Sequence, residues 1–248
     1  MSPSSVWIGT AGWSVPSRYA GEIPPGGSHL ERYARRVNAV EINSSFHRPH
    51  QRKTYERWAQ STSAAFRFSV KMPKAMTHEH RLVACGALLD RFAAEVVGLG
   101  DKLGVLLVQL PPKFVFDERV ADRFVRDLRR RIDTPVAFEP RHPSWFTSDV
   151  DDWLAKRRLA RVAADPASVA GAEKPGGWSR LAYYRWHGSP RIYFSEYDAA
   201  ALASLKQRRP GSGGRRCDMV HLRQHRVGSG AWACARTDTA NGKIARWP

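Results

Sequence analysis

Val136-Ala137-Phe138-Glu139-Pro140-Arg141-His142-Pro143-Ser144-Trp145-Phe146, entered through Pro135, is the stretch that decides the fold. Its first three residues are apolar, of the kind that fill a buried strand. An acid, a guanidinium and an imidazole then arrive within four residues, and prolines stop the strand. Charges at the end of a buried strand must be paired or must sit in a wet cleft. A strand-end salt bridge beside a loop histidine explains this one segment equally well. The balance shifts because the pattern recurs along the chain.

Working outward, strands are predicted at 6–12, 39–46, 66–72, 103–110, 160–165 and 181–187. Between them, helices are predicted at 31–37, 53–60, 88–97, 118–131 and 149–158, with one more at 199–208. Ser28 is placed to cap the first helix with Glu31 as its capping-box acid. Val120, Phe124 and Leu128 form the apolar stripe of the helix at 118–131. Short strands alternating with helices mean parallel βα units. Seven rounds in 248 residues suggest a TIM-type (β/α) barrel, a fold of ~250 residues. A doubly wound sheet is the alternative, but no glycine-rich phosphate fingerprint follows the first strand, and Gly9 and Gly12 alone are a weak signal.

In such a barrel the carboxyl ends of the strands converge on one mouth, where the site lies. The candidates there are Glu41, Lys71, His78, Glu139 and His187 for catalysis. Trp13, Asn43, Gln109, Arg141, His142, Asp165 and Arg185 are the candidates for substrate binding. No single member is specific: a histidine is more often structural than catalytic, and Glu41 can simply pair Lys71. The signal is that almost every strand delivers a polar residue to the same end. Lys71, Arg141 and Arg185 suit an anionic or polyhydroxyl ligand. Glu139 or Glu41 can serve as general base, with His78 or His187 as acid. Carboxylates and histidines together are compatible with a divalent metal, but no pair has the spacing of a zinc site, and no cofactor is evident.

Composition bounds the rest. Hydrophobic residues at 42%, with nine Trp, mark a globular chain, and no apolar run approaches the ~20 residues of a membrane span. Three scattered cysteines form neither a metal set nor a disulfide framework. With no secretory signal in the first residues, the chain is expected in the cytoplasm. The net charge of +17 raises nucleic acid as a partner. Yet only nine of the 40 basic residues are Lys, an arginine bias that a GC-rich genome also produces. From Lys206 onward ten Lys or Arg stand against two Asp, a net +8, so the first 205 residues carry +9.

The motifs resemble the YecE-like family, also called the domain of unknown function 72. The resemblance rests on Ile8-Gly9-Thr10-Ala11-Gly12-Trp13, Val40-Glu41-Ile42-Asn43-Ser44-Ser45-Phe46, Phe68-Ser69-Val70-Lys71-Met72-Pro73, Thr77-His78, Leu107-Val108-Gln109-Leu110-Pro111-Pro112, the opening stretch, and Tyr184-Arg185-Trp186-His187-Gly188. It implies a TIM-barrel fold with a polar cleft at the strand ends and supplies no reaction. The family also looks as though it ends in an eighth strand of the form Trp-Cys-x-Phe-Asp-Asn-Thr-Ala. Here the expected place begins Cys217-Asp218-Met219-Val220-His221-Leu222, too polar for a buried parallel strand. A one-nucleotide shift of the codons from Met219 onward can spell the missing motif. A reading-frame slip between about Pro210 and Cys217 is therefore expected, with a divergent tail as the alternative. On either view 1–209 is the barrel and 210–248 an atypical basic tail replacing the last strand and helix.

Three function classes follow. The first is an acid–base enzyme of hydrolase, isomerase or lyase type, acting on a small polar or anionic substrate. The second is a nucleic-acid-associated protein using arginines and exposed aromatics such as Trp58 and Trp178. The third is an inactive, frameshifted copy. No membrane association is expected, and nothing in the sequence fixes an oligomeric state.

Overall fold

The computed structural model describes residues 5–14, 23–187, 217–222, 236–238 and 243–245. The expected helix at 199–208 lies outside them.

β1 (Ser5–Ala11), β2 (Ala39–Ile42), β3 (Arg67–Lys71), β4 (Leu103–Gln109), β5 (Val136–Glu139), β6 (Leu159–Arg161) and β7 (Ala163–Asp165) alternate with five helices. These are α1 (His29–Ala34), α2 (Arg52–Gln60), α3 (Gly86–Val96), α4 (Glu118–Arg129) and α5 (Ser148–Lys156). β8 (Gly176–Gly177), β9 (Leu181–Trp186) and β10 (Cys217–Leu222) follow, then a small hairpin of β11 (Arg236–Asp238) and β12 (Lys243–Ala245). The main sheet is curled and runs in the order β7-β9-β10-β1-β2-β3-β4-β5-β6-β8. Every neighbouring pair from β7 to β6 is parallel, and only β8 joins antiparallel. Only Val162 separates β6 from β7, although they stand near opposite ends of that order. The fold is thus α/β, built from the expected βα units.

One expectation is corrected. The segment from Cys217 was read as unfit for a parallel strand, yet β10 pairs in parallel with β1 on one side and β9 on the other. Strand pairing is made by backbone N–H and C=O groups, so polar side chains lower the propensity of a segment without removing its ladder.

β2, β5, β6 and β9 are buried along their whole length, and β3 and β4 along most of theirs, on both faces, which is why they read as near-continuous apolar runs. One face packs Ile42, Phe68, Val70, Leu106 and Phe138 under the helices, against residues such as Phe92, Phe124 and Leu154. The other gathers Val105, Leu107, Ala137, Ala160, Val162, Leu181 and Tyr183 into a separate cluster. Because strand side chains alternate, Lys71, Gln109, Glu139 and Arg185 lie on that second face, at the carboxyl ends of their strands.

Local signals hold the helices in place. The Ser28–Glu31 capping box forms as expected. Tyr33 ties α1 to two strands: its hydroxyl accepts from Thr10 N–H at 2.7 Å and donates to the Ala39 carbonyl at 3.0 Å. The α4 stripe buries Phe124 and Leu128 as expected and adds Ala121 and Val125, while Val120 is half-buried. Gly9 faces the Ala39 backbone, and a β-carbon there would stand 1.9 Å from the Ala39 carbonyl oxygen. Backbone cannot swing aside as a side chain can. Gly9→Ala is therefore expected to destabilise at or beyond the ~3 kcal/mol upper end of overpacking, measured by the urea midpoint. A change within ~0.5 kcal/mol would refute the close approach.

Candidate functional site

Arg185, near the end of β9 and 2% exposed, is the centre of the strand-end cluster. Its Nε and Nη2 donate to the two oxygens of Glu41 at 3.0 and 2.9 Å. Its Nη1 donates to Glu139 Oε2 at 2.5 Å. One guanidinium thus bridges carboxylates on β2 and β5, the fork geometry for which arginine is suited. Glu41 is fully buried, at 0% exposure, and also accepts from Tyr183 Oη at 3.0 Å. With that proton committed to Glu41, Tyr183 Oη accepts from the Ser69 hydroxyl at 2.9 Å. The expected alternative of a Glu41–Lys71 pair is not what forms.

Glu139 is 3% exposed. Gln109 Nε2 donates to its Oε2 at 2.8 Å, and Arg141 Nη2 to its Oε1 at 3.2 Å. Burial opposes its ionisation. Arg185, then Arg141, His187 and Gln109 together outweigh burial and hold its pKa below the usual carboxylate value. The same two carboxylates raise the pKa of Arg185 in spite of its own burial. His187 Nε2 lies 3.3 Å from Arg185 Nη1. A guanidinium can only donate, so Nε2 accepts and the ring proton of the neutral form sits on Nδ1.

Lys71 ends β3 and is 7% exposed. Among the described residues its ammonium has no hydrogen-bond or ion-pair partner. It lies 3.8 Å from the centroid of the Phe46 ring. Burial first, then the positive charge of Arg185, pull its pKa down from 10.5 to about 8, against the opposing pull of Glu41 and Glu139. His78 meets the same Phe46 ring at 5.0 Å and is half-buried. Its Nδ1 is hydrogen-bonded to Thr77 Oγ1 at 2.8 Å, which leaves Nε2 as the nitrogen to face a ligand. Burial, then Lys71, Arg141 and Lys74, lower its pKa, so it is neutral at pH 7.

The structure therefore brings Glu41, Lys71, His78, Gln109, Glu139, Arg141, Arg185 and His187 together. Asn43 opens the short 3-10 turn Ser44–Phe46 two residues beyond Glu41, half-buried and with no side-chain cap bond. The other three stand differently. Trp13 packs edge-on against Trp58 at 5.0 Å. His142 caps the turn Pro143–Trp145, its Nδ1 accepting from Ser144 N–H at 3.2 Å. Asp165 contributes its carbonyl, which accepts from His187 N–H at 2.7 Å. Tyr183, Ser69 and Phe46 were not among the sequence candidates. Tyr183 and Ser69 were findable, since each lies two residues before a candidate and so on the same strand face. Trp58 and Trp178, read as exposed aromatics, are half-buried and packed against the two clusters.

Among the described residues no three His, Cys, Asp or Glu side chains form a metal-holding group. No helix there is long and apolar enough to cross a membrane. Among the described residues the cluster holds two carboxylates, both engaged by arginine, against three cations, Arg141, Arg185 and Lys71. It carries surplus positive charge.

A parallel α/β sheet with a buried charged cluster at its carboxyl ends defines the class. The chain belongs to the family described as protein of unknown function DUF72, whose model matches residues 7–237. It is 30% identical over 173 residues to the UPF0759 protein YecE of Escherichia coli K12, covering 67% of this chain and 61% of that one. It is 29% identical over 150 residues to YunF of Bacillus subtilis, covering 57% and 52%. The matched region thus spans less than two thirds of these relatives. A crystal structure of a DUF72 protein from Enterococcus faecalis superposes with a TM-score of 0.73 at 16% identity, covering 88% of each chain. One from Thermotoga maritima gives 0.66 at 19%, covering 92% of this chain and 95% of that one. At such identities these two speak for the fold.

Proposed function

We propose that the chain is a TIM-type barrel enzyme that binds a small anionic substrate at the carboxyl ends of its strands and transforms it by acid–base chemistry. Barrel closure is supported by the chain continuity of β6 and β7: residues 159–165 meet β5 through their first half and β9 through their second. The observation that carries the ligand class is Lys71, a buried cation with no carboxylate of its own among the described residues, beside two carboxylates already taken by arginines. A negative group on the substrate completes the charge balance. Arg141 is the anchor, since its side chain is 34% exposed and uses only Nη2 on Glu139. Lys71 and His78 transfer protons, their lowered pKa values bringing free base within reach of neutral pH. Glu41, Glu139 and Arg185 position the site, with Gln109 and His187 beside them.

A panel of small carboxylates and phosphates tests this by thermal shift. A ligand at 100 times its Kd stabilises wild type by about 2.7 kcal/mol, and Arg141→Gln loses that gain, measured against the variant's own ligand-free Tm. If no anion shifts the wild-type melting, the proposal is dead.

The frame slip between about Pro210 and Cys217 is proposed with it. β10 occupies the place between β9 and β1 where a frame-corrected strand would bring an Asp and an Asn to the site. Sequencing the coding DNA decides the matter, because the shifted frame either spells Trp-Cys-Thr-Phe-Asp-Asn-Thr-Ala or does not.

A further inference from the structure

We propose that Lys71 is a carbonyl-trapping nucleophile: its Nζ adds to the carbonyl carbon of a small 2-oxo acid whose carboxylate is held by Arg141, forming a Schiff base on the protein. This rests on the anionic-substrate proposal and names the substrate class.

Two lysines of the described chain make the contrast. Lys102 is also drawn down in pKa by burial, but its ammonium donates to the Ala59 and Thr62 carbonyls at 2.5 and 2.6 Å. Its hydrogens are committed, so it is a structural lysine. Lys71 is more deeply buried, lies at the end of a strand, and has no acceptor among the described residues. A buried ammonium without an acceptor is an expensive arrangement for a merely structural role. Lysines desolvated next to another cation are those that act as amine nucleophiles. With a pKa of about 8, about a tenth of Lys71 is free amine at pH 7.

The surroundings fit each stage of the addition. The free amine attacks the carbonyl carbon, and the carbonyl oxygen takes up a proton to give a carbinolamine. Loss of that oxygen as water, with one proton consumed overall, leaves an iminium carrying the charge the ammonium had. The Phe46 ring, 3.8 Å from Nζ, then faces a cation again and stabilises it. His78, on the same ring with Nε2 unengaged, is the group to move the proton. No oxidant or reductant enters.

Pyruvate and sodium cyanoborohydride, added to the full chain at pH 7, convert the iminium to a stable secondary amine. Peptide mass mapping is expected to find one reduced pyruvate on Lys71 and little on the other eight lysines, which act as internal controls. Lys71→Arg should abolish the adduct while keeping the positive charge. A dependence of trapping rate on pH with a midpoint near 8 is expected, against one above 10 for an exposed lysine. Adduct spread evenly over the lysines, or absent from Lys71, overturns the assignment. If pyruvate stabilises wild type through Arg141 and yet is never trapped, the anion-binding reading stands and the Schiff base falls. If Lys71 is trapped but no anion stabilises the fold, the reverse holds.

Discussion

Arg185→Met is expected to lower the stability of the fold by about 3–5 kcal/mol at pH 7, seen as a fall in the urea midpoint. That is a large part of the 5–15 kcal/mol by which ordinary domains are stable. The reason lies in what remains behind. Glu41 and Glu139 are 0% and 3% exposed, and Arg185 is the cation that both share. Without it two carboxylates are left in the interior with Tyr183, Gln109 and Arg141 as their described donors. The dependence on pH should change sign. In the wild type Glu139 titrates below its ordinary value, so its contribution is present above that value and is lost as pH falls through the lowered folded pKa. In the variant, burial is less opposed and pushes the carboxyl up. The folded state then holds its proton more tightly than the unfolded chain, and stability recovers as pH falls toward the ordinary carboxylate range. Adding Glu41→Gln and Glu139→Gln to Arg185→Met should restore part of the loss at pH 7, because neutral amides do not need a buried cation. A triple variant no more stable than the single one would show that the defect is packing, not charge.

The same residues show what could be read from the chain unaided. The βα alternation was legible because most strands are apolar runs closed by a polar residue and a proline or glycine, as in Val136 to Pro140. The Ser28–Glu31 cap was legible because it is a local signal, complete within four residues. Convergence of Glu41, Lys71, Glu139 and Arg185 followed from one rule, that parallel strands share an end. Who pairs with whom did not follow. Glu41 was offered to Lys71, its neighbour on the adjacent strand, but the planar fork of Arg185 reaches both oxygens from across the sheet's inner face. Pairings between residues 144 positions apart depend on the curl of the whole sheet, which no local pattern encodes. His142 has a role that the sequence reading did not include: before Pro143 its Nδ1 caps the turn Pro143–Trp145. β10 was missed because its side chains argue against a strand while the vacant ladders of β1 and β9 argue for one.

Lys71→Met should stabilise the protein while removing its chemistry. At pH 7 the wild type must hold a proton on an amine that the fold disfavours. The gap between 10.5 and about 8 corresponds to about 3 kcal/mol. The Phe46 ring returns some of this, about 0.5–2 kcal/mol for a cation over a ring face. A methionine of similar length fills the space with no charge, so a net gain of about 1–3 kcal/mol is expected in the urea midpoint. The sign with pH is fixed by which state binds the proton more tightly. The folded value is the lower one, so between pH 8 and 10.5 the unfolded chain holds more protons and wild-type stability rises with pH. The advantage of the variant is therefore full below pH 8, shrinks through that window, and vanishes above it. A surface lysine would show none of this, and a lysine kept for structure would show the opposite, a loss on replacement. If Lys71→Met is less stable than wild type at pH 7, the ammonium is a stabilising group of the fold. The case for a residue retained against stability, and so for function, would then be lost.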